Sequence, residues 1–410
     1  MLLKRHVDEL AIFGGQPAFG DALHVGRPNI GDRRRFVGRI EAMLERRWLT
    51  NDGSFVREFE HRMAERLQVR HCVAVCNGTV GLEIAIRAFN LAGDVIVPSF
   101  TFVATAHALT WLGLTPVFAD VEPRRHTLDP ESVERLVSSR TTGIIGVHLW
   151  GQACQVEALG KIAERHGLAL ILDAAHAMAC SHRGIPIGRF GDAEVFSFHA
   201  TKDLNTMEGG AITTNDDGLA KRLRRLRNFG FAGFDTVVSV GTNGKMSEAA
   251  AAMGLTSLES LDEFVAANRR NHEHYARALA GLAGIRLLKF DSAEQHNHQY
   301  VVLEIDPTET GLTRDQIHAV LWAENVRARR YFHPGCHRME PYRSRYPDAS
   351  RELPVTERLS STVLCLPTGT AVGPEEIDAV VSIIRLAGAR RADLLARWPE
   401  VEQSTSRATR

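Results

Sequence analysis

The sequence holds no apolar run long enough to cross a membrane, and its start, MLLKRHVDELAIF, lacks the apolar stretch of a signal peptide. It has no CxxC pair: Cys72, Cys76, Cys154, Cys180, Cys336 and Cys365 stand apart, mostly inside apolar runs, which suits buried free thiols in a reducing compartment. Neither sign of charge is in excess. With 49 basic and 49 acidic side chains the formal net charge is zero, so no long-range field draws the chain to nucleic acid or to a membrane surface. No repeat or low-complexity tract interrupts it. His333, Cys336 and His337 lack a nearby fourth ligand and are broken up by Pro334 and Gly335, so no metal is expected there. GTNGK, at Gly241–Lys245, lacks the spacing and the Ser/Thr of a nucleotide P-loop. What is left is a cytoplasmic protein that acts on a small or singly docked substrate.

What is present is a regular alternation. A chain of 410 residues has room for two or three domains. Residues 1–50 read as an arm that docks on something larger: GGQPAF and GRPNIGD are turn-rich, and Arg33–Arg47 carries helical spacing through Phe36, Ile40, Met43 and Leu44. A helix follows over Asp52–Leu67, its apolar positions Phe55, Phe59, Met63 and Leu67 on one face. Strand-like runs then recur at Cys72–Cys76, Val95–Val97, Pro116–Val121, Gly143–Leu149, Leu168–Leu172, Glu194–Phe198 and Ala211–Thr214, with helical segments such as Thr79–Asn90 and Val156–His166 between them. Near-continuous apolar strands of this kind predict a largely parallel sheet covered on both faces, with its ligand beyond the carboxyl ends of the strands. Met246–Phe264 reads as an Ala-rich helix that closes a large domain at 51–264, and a polar helix follows to about Gly281. A smaller α/β domain over 265–400 should hold strands at His298–Ile305 and Val326–Tyr331, a helix at Arg314–Glu324 and a last helix from Pro374. The polar tail, 401–410, is expected to be disordered.

The chemistry centres on FSFHATKDLNTMEGG, Phe196–Gly210. Lys202 stands just past the strand, among small and hydroxyl residues and ahead of a Gly-Gly pair. Partial burial there would lower its pKa and free the amine for a Schiff base, although a solvated loop lysine is the plainer reading. Pyridoxal phosphate asks for such a lysine, for a carboxylate facing its pyridine nitrogen, and for a cradle for its phosphate. Strand Leu168–Leu172 delivers Asp173, followed by two alanines that leave room for a flat ring; a helix-capping aspartate is the alternative. His176 suits the ring's phenolic oxygen or a structural role equally. After Cys72–Cys76 come Asn77, Gly78 and Thr79, where amides at a helix N-terminus would hold a phosphate unless Thr79 is simply the cap. PSFTFVATAHA brings Phe100 and Phe102 to the same sheet edge, and either ring could stack on a cofactor or lie in the core.

In order along the chain, NGT, PSFTF, DAAHA and SFHATK with EGG resemble the DegT/DnrJ/EryC family of sugar-nucleotide aminotransferases, within the aspartate-aminotransferase fold type (fold type I) of pyridoxal phosphate enzymes. The resemblance spans roughly Leu49–Ile384 and takes in LTNDGSFVREFE, LRNFGF, TNGKMSEAAAAMGL, YFHPGCH and LPVTERL. It implies an α/β fold: a large domain with a mainly parallel seven-stranded sheet, and a smaller C-terminal α/β domain. It implies Lys202 as the Schiff-base lysine and proton shuttle, Asp173 as the partner of the pyridine nitrogen, and Phe102 as the aromatic on the ring. Gly78, Thr79 and Ser197 are implied as the phosphate cradle. Asn228, in RNFG, occupies the place of an asparagine that in similar enzymes reaches the phosphate of the neighbouring subunit, which implies a homodimer with shared active sites. Some relatives carry histidine in place of the lysine and remove a hydroxyl; Lys202 separates the chain from them.

The particular variant SFHATKDLNTMEGG, with NFGF and YFHPGCHRMEPYR, is most similar to dTDP-4-keto-6-deoxyglucose 4-aminotransferases of deoxyaminosugar and antibiotic pathways, the desosamine branch included. That implies transfer of an amino group from L-glutamate to the C4 ketone of dTDP-4-keto-6-deoxy-D-glucose, giving dTDP-4-amino-4,6-dideoxy-D-glucose. Two alternatives stay open: amination at C3 or of another nucleotide keto sugar, and a non-catalytic regulator that binds pyridoxal phosphate. His333, Tyr331 and Lys245 lie in family-like motifs and are open as residues that grip the sugar.

Overall fold

The computed structural model describes residues 2–408, without the side chains of residue 400 and residues 402–408; where the sequence predicts a disordered tail over 401–410, the backbone of residues 401–408 belongs to a helix, Arg391–Ala408, and residues 409–410 lie outside the described residues. All seven strand-like runs form strands: β1 (His71–Val75), β2 (Asp94–Pro98), β3 (Thr115–Ala119), β4 (Thr141–Val147), β5 (Ala169–Asp173), β6 (Ala193–Ser197) and β7 (Gly210–Thr214). They make one sheet in the order β1-β7-β6-β5-β4-β2-β3, where β7 is antiparallel to both its neighbours and the other pairings are parallel. The apolar runs are continuous because both faces are covered. Cys72, Ala74, Phe196 and Ala211 pack on one side, and Val73, Val75, Val195 and Ile212 on the other.

Helix α1 (Arg33–Arg46) and helix α2 (Ser54–Leu67) fall where the spacing predicts, and helix α3 (Gly78–Ala88) follows β1 directly. Helices α4 (Ala104–Trp111), α5 (Pro130–Leu136), α6 (Val156–His166) and α7 (Asp217–Arg227) make further crossovers and cover. The carboxylates of Asp129 and Asp216 accept from the first-turn amides of α5 and α7 and fix where those helices begin.

Where the sequence suggests two helices meeting near residue 264, there is one: α8 (Glu248–Ala278), 31 residues long. What changes at residue 264 is burial rather than backbone. Up to Phe264 the helix is buried on most sides against α2 and the sheet; beyond it only Asn268, Asn271 and Tyr275 are buried. The Asn271 amide donates to the Gly369 and Val372 carbonyls, and Tyr275 Oη to that of Pro367, so the second half of α8 is pinned to the C-terminal unit.

That unit holds a three-stranded antiparallel sheet, β8 (Ile285–Leu287), β9 (Val301–Ile305) and β10 (Val363–Leu366), beside α9 (Arg314–Ala323), α10 (Pro354–Thr362) and α11 (Pro374–Ala389). The strand expected from His298 starts only at Val301. His298 has a positive φ of 48°, and Asn297 Oδ1 accepts from the Gln299 amide, which turns the chain before pairing begins. The expected strand at Val326–Tyr331 shrinks to Val326–Arg327, parallel to Leu23–His24, plus a bridge from Arg329 to Cys365. The first 24 residues pack here too. Val7, Leu10, Phe19 and Leu23 join the core formed by Leu303 and Ile384, and the buried Glu324 accepts from the Ala11 and Ala18 amides at 2.7 Å each and pairs with Lys4 at 3.5 Å. Phe100, Trp150, Tyr300 and Phe332 cluster where the large sheet's carboxyl edge meets this unit. All six cysteines are free thiols, five of them buried and Cys76 half-buried.

Candidate active site

One cavity of about 580 Å³ opens at the carboxyl ends of β5 and β6 and the N-terminus of α3. Of the residues singled out in the sequence, Gly78, Thr79, Phe102, Asp173, His176, Ser197 and Lys202 line it. Asn228 does not. It ends α7, pairs by its backbone with Asn243, and stands off the wall of its own chain's cavity.

Lys202 lies in the turn after β6, where its amide donates to the His199 carbonyl at 2.8 Å. Its Nζ donates to Tyr300 Oη at 3.1 Å. Burial pushes the Lys202 pKa down to about 8, against the pull of Asp173 and Asp203, so a useful fraction of free amine exists near neutral pH. Asp173, at the end of β5, is buried, and no helix follows it to be capped. Its Oδ2 accepts from Thr105 Oγ1 at 2.9 Å and its Oδ1 from the Ala175 amide at 3.0 Å. Burial raises its pKa, and these two donors together with the Lys202 charge work in the opposite direction.

The start of α3 is capped by Asn77, whose Oδ1 accepts from the Val80 amide at 2.8 Å, so Thr79 is not the cap. With the Gly81 amide bonded to the Asn77 carbonyl, the first amides, those of Gly78 and Thr79, point outward from the helix with the positive end of its dipole. The backbone comes close to Ser197 here: a Cβ on Gly78 would lie 3.0 Å from the Ser197 Cβ and crowd the notch. His176 is buried in a stack, 4.5 Å from Tyr300 and 5.8 Å from Trp150 between ring centroids, and its Nδ1 has no partner among the described residues. Burial and the Lys202 charge hold it well below the usual histidine range, so it is a neutral ring.

The two phenylalanines of PSFTF part company: Phe100 is 1% exposed, in the aromatic cluster, whereas Phe102 is 58% exposed on the cavity rim. Four contributors were not picked out from sequence: Thr105, Tyr300, Phe332 and Arg329. Thr105 lies only six residues from Ser99 in the same motif, and a hydroxyl there was the available signal. Tyr300 comes from the other unit and carries no local pattern. Tyr331 also lines the cavity, while Lys245 lies over the Phe229 ring, 4.6 Å from its centroid. His333 faces Arg314 at 3.4 Å, and His337 joins Ser99 Oγ at 2.7 Å to Glu357 at 2.6 Å.

The arrangement offers a poised amine, a buried carboxylate across the cavity and free amides for an anion. That donor set fits pyridoxal phosphate, with its carbonyl, basic ring nitrogen and phosphate. Among the described residues no helix is long and apolar enough to cross a membrane.

Similar proteins match most of this chain. The chain is 52% identical to DesI, whose crystal structure was determined in the presence of its TDP-sugar product, over 96% of this chain and 100% of that one, with a TM-score of 0.92. It is 33% identical over 363 residues to dTDP-4-amino-4,6-dideoxy-D-glucose transaminase of Escherichia coli, covering 88% of this chain and 97% of the relative. It is 37% identical over 371 residues to GDP-perosamine synthase of Caulobacter vibrioides, covering 88% and 97%. The sequence pattern of the DegT/DnrJ/EryC1/StrS aminotransferases matches residues 31–385, and the chain belongs to that family.

Proposed function

We propose that this aminotransferase uses pyridoxal phosphate to move an amino group from L-glutamate to the C4 ketone of dTDP-4-keto-6-deoxy-D-glucose, giving dTDP-4-amino-4,6-dideoxy-D-glucose. The observation that carries the substrate is the likeness to DesI over nearly the whole chain. When bound, the cofactor supplies a carbonyl that takes up and releases the amino group and a ring that withdraws electrons from the carbon losing its proton.

The chain's own residues do the rest. Lys202, with its pKa near 8, is the base that removes the proton from Cα of glutamate and later delivers one at C4 of the sugar. Asp173, kept as an acceptor by Thr105 and Ala175, holds a proton on the ring nitrogen. The Gly78 and Thr79 amides, with the hydroxyls of Thr79 and Ser197, hold the phosphate. Phe102, exposed on the rim, would cover the ring, and His176, a neutral ring, would meet its phenolic oxygen without adding charge. Asn228, which stands off its own cavity, serves the phosphate of a second copy in a homodimer.

The test follows the visible absorbance of the enzyme loaded with pyridoxal phosphate. Glutamate should bleach it, and dTDP-4-keto-6-deoxy-D-glucose should restore it, with the 4-amino sugar as product. Restoration by the 3-keto isomer or by a GDP-linked keto sugar instead would move the substrate assignment; no bleaching by any amino donor would leave a regulator. Lys202→Ala should bind the aminated cofactor yet turn over at least about a thousandfold more slowly.

A further inference from the structure

Directly after Lys202 comes a second carboxyl that the proposed mechanism does not use. Asp203 is 2% exposed, turned under the lysine loop toward the middle of α8. Its Oδ1 accepts from Asn268 Nδ2 at 2.8 Å. The same Nδ2 also donates to the Asn297 carbonyl at 3.1 Å, and Asn297 in turn donates to the carbonyls of His176 at 2.9 Å and Met178 at 3.0 Å. A carbonyl can only accept, so the Asn297 oxygen fixes which way the Asn268 amide faces. Both Asn268 protons are thereby spent. Two buried oxygens remain without a partner among the described residues, Asp203 Oδ2 and Asn268 Oδ1. Both are acceptors, and an unmet buried acceptor is costly. The Asp203 Oδ1–Asn268 Nδ2 bond already sets the carboxyl against the amide, so a single proton shared by the two leftover oxygens would meet the need of both.

We propose that Asp203 carries a proton on Oδ2 and donates it to Asn268 Oδ1, so that the residue adjoining Lys202 is neutral and the lysine responds to a single carboxylate, Asp173. Asp203 is then a positioning residue. The acid–amide pair ties the lysine loop to α8 and to the chain segment behind His176, and it withholds a second negative charge that would keep Lys202 protonated. The charged and titratable groups facing Asp203 agree with a neutral acid: among the described residues Lys202 is the cation that acts on it, and Tyr300 and Cys180 are both raised by burial and uncharged. Burial pushes the Asp203 carboxyl up to about 7, against the Asn268 hydrogen bond and the Lys202 charge. The consequence for Lys202 rests on the role proposed for it above; the proton on Asp203 does not.

The test is an infrared spectrum of the protein without added cofactor at pH 6, where ordinary carboxyls are ionised. A carboxylic-acid C=O band should be present, shift when the aspartate carboxyl carbon is labelled with ¹³C, and vanish in Asp203→Asn. Asn268→Leu, which removes the acceptor, should move the band to higher wavenumber and covers the case in which Asp203→Asn does not fold. Absence of the band in wild type, its persistence in Asp203→Asn, or its indifference to Asn268→Leu would each overturn the proposal, the first pointing to an ionised Asp203 bridged by water. The pH dependence of pyridoxal phosphate uptake reads the effect on the lysine. A neutral Asp203 predicts that its midpoint in Asp203→Asn stays within a few tenths of wild type, whereas an ionised one predicts a fall of about one unit. Failure of glutamate to bleach the loaded enzyme would count against the reading of Lys202 alone and leave the infrared result standing.

Discussion

Asp173 and Asp203 are both buried carboxyls that feel the charge of Lys202, yet their surroundings differ in one countable respect. Asp173, at the edge of the large sheet, receives a hydroxyl and an amide proton, and its side chain borders the cavity. Asp203, beneath the loop, receives one amide proton, and its second oxygen has none. Burial raises both. With two donors the ionised form is served at Asp173, and with one the neutral acid fits better at Asp203. Residue type therefore says little about which carboxyl in this site is a charge and which is a proton reservoir; the donor count decides.

Three variants probe that division. The largest effect belongs to Asp173→Asn, which keeps the shape and removes the charge: bleaching by glutamate in stopped flow should slow by roughly a thousandfold, on the scale of losing one dedicated electrostatic partner. A loss in Asp203→Asn as large as that would erase the distinction.

Next is a dependence of stability on pH. An acid whose folded pKa of about 7 lies above its ordinary 3.8 binds more protons folded than unfolded, so the folded state loses stability as pH rises between those values. Relative to Asp203→Asn, wild type should lose roughly 2 kcal/mol between pH 5 and pH 7 in urea melts. A difference that is flat or of opposite sign would mean that Asp203 is ionised. Thr105→Val should have the smallest effect. It removes one of the two donors to Asp173, worth about 1 kcal/mol, and should slow the glutamate half-reaction about fivefold. No change would mean that the Ala175 amide alone suffices.

The sheet was legible in the chain because a mainly parallel sheet covered on both faces needs strands that are apolar on both sides, and the seven runs come near to that, with few polar residues such as Asp120, His148 and Glu194 among them. Lys202, Asp173, Gly78 and Thr79 were legible because each falls where a strand ends or a helix begins, the places where such a sheet presents its ligand. The chain reads as two helices around residue 264 where α8 is one, because the change from Ala-rich to polar composition there marks a change of burial and not a break in hydrogen bonding. The late start of β9 escaped periodicity, since the turn at His298 is set by the Asn297 side chain.

The order of motifs, the strand ends that carry Lys202 and Asp173, and the glycine at position 78 come from local pattern, because backbone direction and close approach are written into neighbouring residues. The long-range contacts come from tertiary structure alone. Tyr300 reaches Lys202 across 98 positions, Asn268 reaches Asp203 across 65, and Thr105 reaches Asp173 across 68. Thr105 and Asn268 each donate one proton to a buried carboxyl oxygen, and Tyr300 accepts one from the Lys202 amine. Protonation in a dry interior depends on the partners actually in contact, and no spacing along the chain carries that information.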